Sequence, residues 1–355
     1  MRRTDHRCGI ARGRTILTLL LLSGIVPLVR GQDPPTAPAF DFAEAANLGE
    51  EASPRILLPP DEVIRESLFG PLRPERWRPL GLSTLFSEGW DEPYAPAPGD
   101  APRQTWINNA DGAFYRLYVA SFGFARGAPP AGGNAYNGSF FLFTPLSRRF
   151  ELGWFVPFVM SAPDALKPSG RANWTDFGDL TIAPRVLLAE DRRYTVTSNL
   201  FVRLPTGNAR NGNGVASLSP DVEFWANPVE RWVVRGGLGV TVPTNSTPTS
   251  SRLLAANPWM GFNASPGGFT SFDARLAIGR YLTPGGDHLF NNFVPYLAAN
   301  LHTELSGGNN TYFSLTPGYR FGLGKDWYAL GGLEVPLVGP LAFQTQTIFQ
   351  FIKNF

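Results

Sequence analysis

The sequence predicts an all-β fold: a transmembrane, antiparallel, up-and-down β-barrel of about twelve strands. Three observations predict it. Beyond residue 113 the chain breaks into runs of about 9 to 13 residues, aromatic and β-branched, separated by Gly, Asn, Pro and Ser clusters. Several of these runs alternate apolar and polar residues with a period of two. The chain ends on Phe355, and residues 32–355 contain no cysteine.

Composition narrows the class. The 355 residues are 43% hydrophobic, 13% aromatic and only 17% charged, with 38 Gly and 33 Pro. Mean hydropathy is -0.10. Residues 15–22 are the one long apolar run, which excludes a multi-helix membrane protein. The formal charge of +2 is concentrated at the start, where residues 1–31 hold six Arg and one Asp. The remainder is slightly acidic, so nucleic acid has no electrostatic attraction to it.

Residues 1–31 read as a secretory signal peptide. Arg2, Arg3, Arg7, Arg12 and Arg14 precede an apolar core at 16–22, and Val29-Arg30-Gly31 stand before a cut ahead of Gln32. Ser23, Gly24 and Pro27 interrupt that core, leaving it short of the roughly 20 residues a spanning helix needs. Cys8 lies upstream of the core, so it is not a lipid-bearing cysteine. Cleavage would leave a chain with neither disulfides nor thiolate ligands.

Residues 32–108 form the second region, a Pro-rich, largely disordered periplasmic arm. Thirteen prolines fall between residues 32 and 103, and no apolar period is sustained. A short docking helix is expected at 61–69, where Val63, Ile64 and Leu68 share a face behind Asp61 and Glu62.

Residues 109–355 are the barrel. In 180–188 the apolar face reads Leu180, Ile182, Pro184, Val186, Leu188, against Asp179, Thr181, Ala183, Arg185. The run from Tyr194 to Leu204 repeats this, with Ser198 and Phe201 as exceptions. Leu218, Pro220, Val222 and Phe224 oppose Ser219, Asp221 and Glu223, and Phe313, Leu315, Pro317, Tyr319 and Phe321 oppose Ser314, Thr316 and Arg320. The separation is weaker in 150–160 and 272–280. A soluble sandwich also alternates, so topology and the chain end must choose.

Candidate strands near residues 114, 138, 150, 177, 194, 218, 232, 270, 293, 312, 328 and 343 give an even number, which places both termini in the periplasm. Connections 145–149, 189–193, 227–231 and 324–326 are tight, while 161–173, 205–217 and 243–268 are long and external; 283–292 is long for a periplasmic turn. Trp154, Tyr194, Trp232, Tyr281, Trp327 and Tyr328 lie toward strand ends, where amphipathic rings suit the headgroup region. The last strand, 342–355, places Phe349, Phe351 and Phe355 on one face and resembles the membrane assembly signal of bacterial outer-membrane barrels. Lys353 departs from that signal, although a lysine can snorkel to the interface. Pro184, Pro220, Pro295 and Pro317 sit inside strands, where a missing N–H predicts bulges or local breaks.

Phe177-Gly178-Asp179-Leu180-Thr181, then Pro184, then Leu204-Pro205-Thr206-Gly207-Asn208, resemble the outer-membrane transporters named for the meta pathway of phenol degradation, and the likeness extends through Leu218 to Thr244. The resemblance implies an outer-membrane channel for small molecules, hydrophobic or aromatic compounds among them. It brings no catalytic residues.

The residues themselves offer little chemistry. Beyond the leader there are two histidines, His288 in a turn and His302 facing the lumen with Asn300 and Glu304, which is too few for a His-based metal cluster. No catalytic, metal or cofactor-binding residue is assigned, and no enzyme is expected. The candidates that remain are charges on inward positions: Asp179, Arg185, Arg203, Asp221, Glu223, Arg235, Asp273, Arg275, Arg320 and Glu334. They either set a transverse field that sorts solutes or form a salt-bridged network that fills the interior. The external loop 243–268 carries Leu253, Leu254, Trp259, Met260 and Phe262, which fold inward as a constriction or contact lipid and partners.

The expectation is a passive, porin-like channel in the outer membrane of a Gram-negative-type bacterium. Its partners are outer-membrane lipid, the barrel-assembly machinery and a small-molecule solute. The alternatives are a structural or adhesive barrel with a filled lumen, and a secreted soluble β-sandwich binding protein.

Overall fold

The computed structural model describes residues 57–99, 101–128, 133–161, 177–207, 215–245, 270–306, 311–339 and 343–355. The signal segment 1–31, the arm as far as residue 56 and the apolar residues of loop 243–268 lie outside the described residues.

Twelve strands form one closed antiparallel sheet: β1 (Leu117–Ala128), β2 (Gly133–Pro145), β3 (Phe150–Ser161), β4 (Thr181–Glu190), β5 (Tyr194–Arg203), β6 (Ser217–Val229), β7 (Trp232–Pro243), β8 (Ser271–Arg280), β9 (Asn291–Glu304), β10 (Thr311–Gly324), β11 (Trp327–Val338) and β12 (Thr345–Asn354). Every strand pairs with its neighbours in sequence, and β1 closes on β12 from Leu117 opposite Asn354 to Arg126 opposite Thr345. A single closed sheet has no second sheet to pack against, so the soluble sandwich is set aside.

The alternation read from the sequence is realised with its faces inverted relative to a soluble protein. In β6, Asp221 and Glu223 are 5% and 2% exposed, while Val222 between them and Leu218 ahead of them are 48% and 39% exposed. Phe349 and Phe351 on β12 point out, and Gln346 and Gln350 point in. Outward apolar side chains recur all round the sheet, among them Phe122, Leu200, Leu238, Leu276, Leu297 and Leu333. Closure satisfies the backbone of such a sheet internally, and an apolar outer face facing a polar interior fits hydrocarbon outside.

Tight hairpins lie where expected. Gly324, Lys325 and Asp326 have φ of +91°, +49° and +62°, and Arg231 has +63°. Left-handed turn residues match the twist of the flanking strands. The long connection between β8 and β9 is itself an ordered turn: the Asn291 side chain donates to the His288 carbonyl at 2.6 Å, and Thr283 Oγ1 donates to the Phe290 carbonyl at 2.8 Å.

One expectation is narrowed and one corrected. Pro184, Pro220 and Pro317 make no bulge, but each leaves the expected local break on one side, where pairing stops and then resumes in the same register. Pro220 sits opposite Leu200 in an unbroken ladder, and on its other side the β6–β7 register is unchanged from Leu218/Val242 to Asp221/Gly239. Pro317 behaves likewise between Leu315/Val335 and Gly318/Gly332. An N–H in a sheet points to one neighbour only, so proline removes one bond on one side and leaves the register intact. Of the strand-end aromatics, Tyr194, Trp232 and Trp327 face outward, but Tyr281 and Tyr328 are buried inside. Tyr328 follows Trp327 directly, and adjacent strand residues take opposite faces.

The Pro-rich stretch also differs from expectation over its described part, which is folded against the barrel. Helix α1 (Pro60–Phe69) starts on proline with Asp61 and Glu62 in its first turn, and it buries Val63 and Ser67. Ser67 takes the inner place expected of Ile64, because its Oγ accepts the Tyr94 N–H at 2.9 Å. A strap follows, residues 70–99, bridging to β4 through Leu80 and Glu190 with N–O distances of 2.9 and 2.7 Å. Residues 101–116 then lie inside the barrel, so the boundary expected at 108/109 falls within one continuous lumenal segment.

Candidate functional site

Strand register builds the interior. Opposed residues link Glu151 to Arg185, Arg185 to Asn199, Asn199 to Asp221, Asp221 to Gly239, Gly239 to Asp273 and Asp273 to His302. A single row crossing six strand pairs therefore carries three carboxylates, Glu151, Asp221 and Asp273, together with the Arg185 guanidinium, the Asn199 amide and the His302 ring. Arg185 pairs with Glu151, and its Nε donates to Asn199 Oδ1 at 2.9 Å. Asn199 Nδ2 donates to Asp221 Oδ1 at 2.7 Å. Arg275 reaches Asp221 at 3.2 Å and Glu223 at 3.6 Å, and His302 Nδ1 lies 2.8 Å from Asp273.

The remaining inward candidates are placed individually. Arg203 pairs with Asp179 at 2.8 Å, and Asp179 also accepts the Gly207 N–H at 3.0 Å, which ties the end of β5 to the start of β4. Glu334 accepts from Ser314 at 2.8 Å and from Tyr312 at 3.2 Å. Arg235 and Arg320 are fully buried. Glu151 and Asn199 were not among the candidates; the Glu151 signal was present as the polar position of a weakly alternating strand.

The centre of this wall is occupied by the segment 101–116, a plug. Trp106, Ile107, Ala110 and Ala113 have no exposed surface. Trp106 stacks on Tyr296 with centroids 4.8 Å apart and planes at 8°, and the Tyr296 hydroxyl accepts the Ile107 N–H at 2.8 Å. Asn108 Nδ2 donates to Glu334 at 2.8 Å and to Thr316 at 3.0 Å. Arg235 pairs with Asp111 at 2.8 Å, donates to the Tyr115 hydroxyl at 2.7 Å and bonds the Gln104 carbonyl. Arg185 donates to the Asp111 and Ala113 carbonyls, and the Tyr115 N–H donates to Glu151 at 2.7 Å. Gly112 lies flat on β6, where a Cβ would fall 2.2 Å from the Phe224 carbonyl carbon. Four of the wall charges, Arg185, Arg235, Glu151 and Glu223, are thus satisfied in part by the backbone of a segment outside the sheet.

At the end of the barrel where residue 355 lies, the strap is latched to the turns. Arg148, buried, holds Glu190 at 2.9 Å and Glu92 at 3.4 Å beneath the ring of Trp77, and Arg103 pairs with Glu190. Arg149 donates to the Leu187 carbonyl at 2.7 Å and to the Gly81 carbonyl at 3.1 Å. Burial lowers the Arg149 pKa from its ordinary value, and neighbouring Arg148 adds to the effect. Between strap and plug lies a cavity of about 290 Å³ lined by Tyr94, Pro102, Arg103, Phe114, Glu190 and Tyr328. Burial raises the pKa of the Tyr94 hydroxyl, keeping it a neutral donor to the Phe114 carbonyl. Among the described residues, no group of three or more His, Cys, Asp or Glu could hold a metal ion.

The fold and interior define a class: a closed twelve-stranded barrel, apolar outside and charged inside. Residues 143–272 match the family described as "Putative MetA-pathway of phenol degradation", and the chain resembles that family. Among solved structures the chain is similar to an outer membrane channel from Pseudomonas putida F1, at 12% identity, covering 73% of this chain and 99% of that one with a TM-score of 0.49. It is also similar to the NanC porin, at 7% identity, 67% and 99% coverage and a TM-score of 0.45. The KdgM porin is similar at 8% identity, 67% and 99% coverage and a TM-score of 0.41. No curated protein matches the sequence.

Proposed function

We propose that this chain is an outer-membrane channel for small molecules, exported by its leader, inserted by the barrel-assembly machinery and held closed by its own residues 101–116. The observation that carries the reading is the way the interior is satisfied. Arg185 and Arg235 are bonded to backbone carbonyls and to Asp111 of a segment that belongs to no strand. Buried charges are costly unless paired, and water or a polar solute can take the place of those carbonyls when the segment leaves. Passage is passive, and the solute class inherited from the family resemblance is a small hydrophobic or aromatic compound.

A structural barrel with a permanently filled lumen is the second reading, and the filled lumen itself favours it. Planar-bilayer recording of the full chain separates the two. The channel reading expects discrete openings that become more frequent when plug contacts are weakened; a membrane that stays sealed for both the natural chain and a Trp106→Ala variant contradicts it.

A further inference from the structure

Arg320 stands apart from the other lumenal arginines. Arg185 pairs with Glu151, Arg203 with Asp179, Arg235 with Asp111, and Arg275 with Asp221 and Glu223. Arg320 is fully buried, yet none of its three guanidinium nitrogens has a hydrogen-bond partner among the described residues. Its one strong contact is the Tyr328 ring, whose centroid is 4.0 Å from the guanidinium carbon. A cation over a ring regains only part of the hydration lost on burial.

The register shows why this charge is left alone. Arg185 has Glu151 and Asn199 as cross-strand neighbours, whereas Arg320 stands opposite Val294 on one side and Leu330 on the other. The plug does not compensate: its Asn108 side chain goes to Thr316 and Glu334 on these strands, and the two residues before it are apolar. Trp106 stacks on Tyr296, and Ile107 Cγ2 lies 3.4 Å from where a Gly332 Cβ would stand. Next along the row, opposite Leu330, Gln350 has an unbonded Oε1, and neither amide atom of Gln346 is bonded.

We propose that Arg320, Tyr328 and Gln350 form a binding site for a small carboxylate with a flat apolar body, covered by Trp106 and Ile107 in the closed barrel and exposed when the plug leaves. The proposal rests on the channel reading above. A guanidinium offers two parallel N–H donors at the spacing of a carboxylate's oxygens. The Tyr328 ring, one face of which carries the Arg320 guanidinium, offers its edge to the flat body, and the Gln350 amide, whose Nε2 donates to Ser121 Oγ at 3.3 Å, can exchange that bond for one to the anion. A single guanidinium favours a monoanion over a dianion.

The test titrates benzoate, with neutral benzamide as control, into the full chain in detergent, followed by calorimetry and tryptophan fluorescence. Saturable binding of benzoate but not benzamide is expected. Arg320→Gln should weaken it about tenfold or more, as loss of a charge-assisted pair does, while Arg320→Lys keeps part of it. Equal binding to the natural chain and Arg320→Gln, equal binding of benzamide, or no binding at all overturns the site. Heat-modifiable gel mobility checks folding; should Arg320→Gln not fold, Arg320→Lys and the benzamide comparison decide. Bilayer currents are recorded on the same preparation. Benzoate binding through Arg320 without current leaves the site and removes the channel, and current without benzoate binding does the reverse.

Discussion

Gly112 shows how closely the plug is fitted. A methyl group there would stand 2.2 Å from the Phe224 carbonyl carbon, and backbone of a paired strand does not yield as a flexible side chain would. Gly112→Ala is therefore expected to lift the segment from β6 and raise open probability in bilayers while leaving heat-modifiable mobility unchanged; an unchanged closed time would count against the fit. Tyr296→Phe works from the other end. It leaves the buried Ile107 N–H without its acceptor, a loss of about 1 to 3 kcal/mol in seating the plug. Faster amide exchange at Ile107 is the expected readout, and protection equal to the natural chain would refute it.

At the scale of elements, the strap and the last strand make separable predictions. Arg148 is the cation that joins Glu190 to Glu92, and each carboxylate keeps one further arginine, Arg103 and Arg78 respectively, so Arg148→Ala removes the link without leaving either charge bare, a loss of about 1.5 to 3 kcal/mol. Limited proteolysis should then cut within residues 78–92 while the barrel survives; resistance equal to the natural chain would show that the latch is not what holds the strap. Phe355 closes the barrel seam: its N–H donates to the Arg116 carbonyl at 3.1 Å and its ring lies 5.8 Å from the Arg116 guanidinium. We propose that it also carries the assembly signal with Phe349 and Phe351. Phe355→Ala should lower the heat-modifiable fraction several-fold, and undiminished assembly would remove that role. Lys353, the departure from the signal, reaches the Lys325 carbonyl at 2.8 Å and so fastens the β10–β11 turn.

The same scale shows what the sequence could and could not reveal. Strand positions and faces were legible where the wall between hydrocarbon and a polar interior writes a clean two-residue period, as in Leu218 to Phe224, and less so in β3 and β8. Even the exceptions Ser198 and Phe201 were legible as exceptions: Ser198 takes the outer face, and Phe201 faces the core beside Phe155. The plug left no such trace. Residues 101–116 touch the wall on all sides, so no face of theirs alternates, and their polar contacts are made largely by carbonyls and amides that every residue type carries. The strap was hidden for a related reason. Its prolines read as an arm that buries nothing, while its hold on the barrel comes from cations that belong to the β2–β3 turn.

For the whole molecule, the balance is between a charged wall and a segment that can stand in for solvent. Twelve strands with an apolar outer face fix the barrel in lipid, and the interior is closed by a piece of chain that enters beside β1. This makes a direct measurement available. Ile107 and Gly332 face each other with Cβ positions 3.6 Å apart, within disulfide range, and residues 32–355 contain no cysteine to interfere. An Ile107→Cys/Gly332→Cys chain should cross-link on oxidation, seal the bilayer, and pass current once dithiothreitol is added. Current that ignores the reductant, or a pair that never cross-links in the folded barrel, contradicts a lumen closed by residues 101–116.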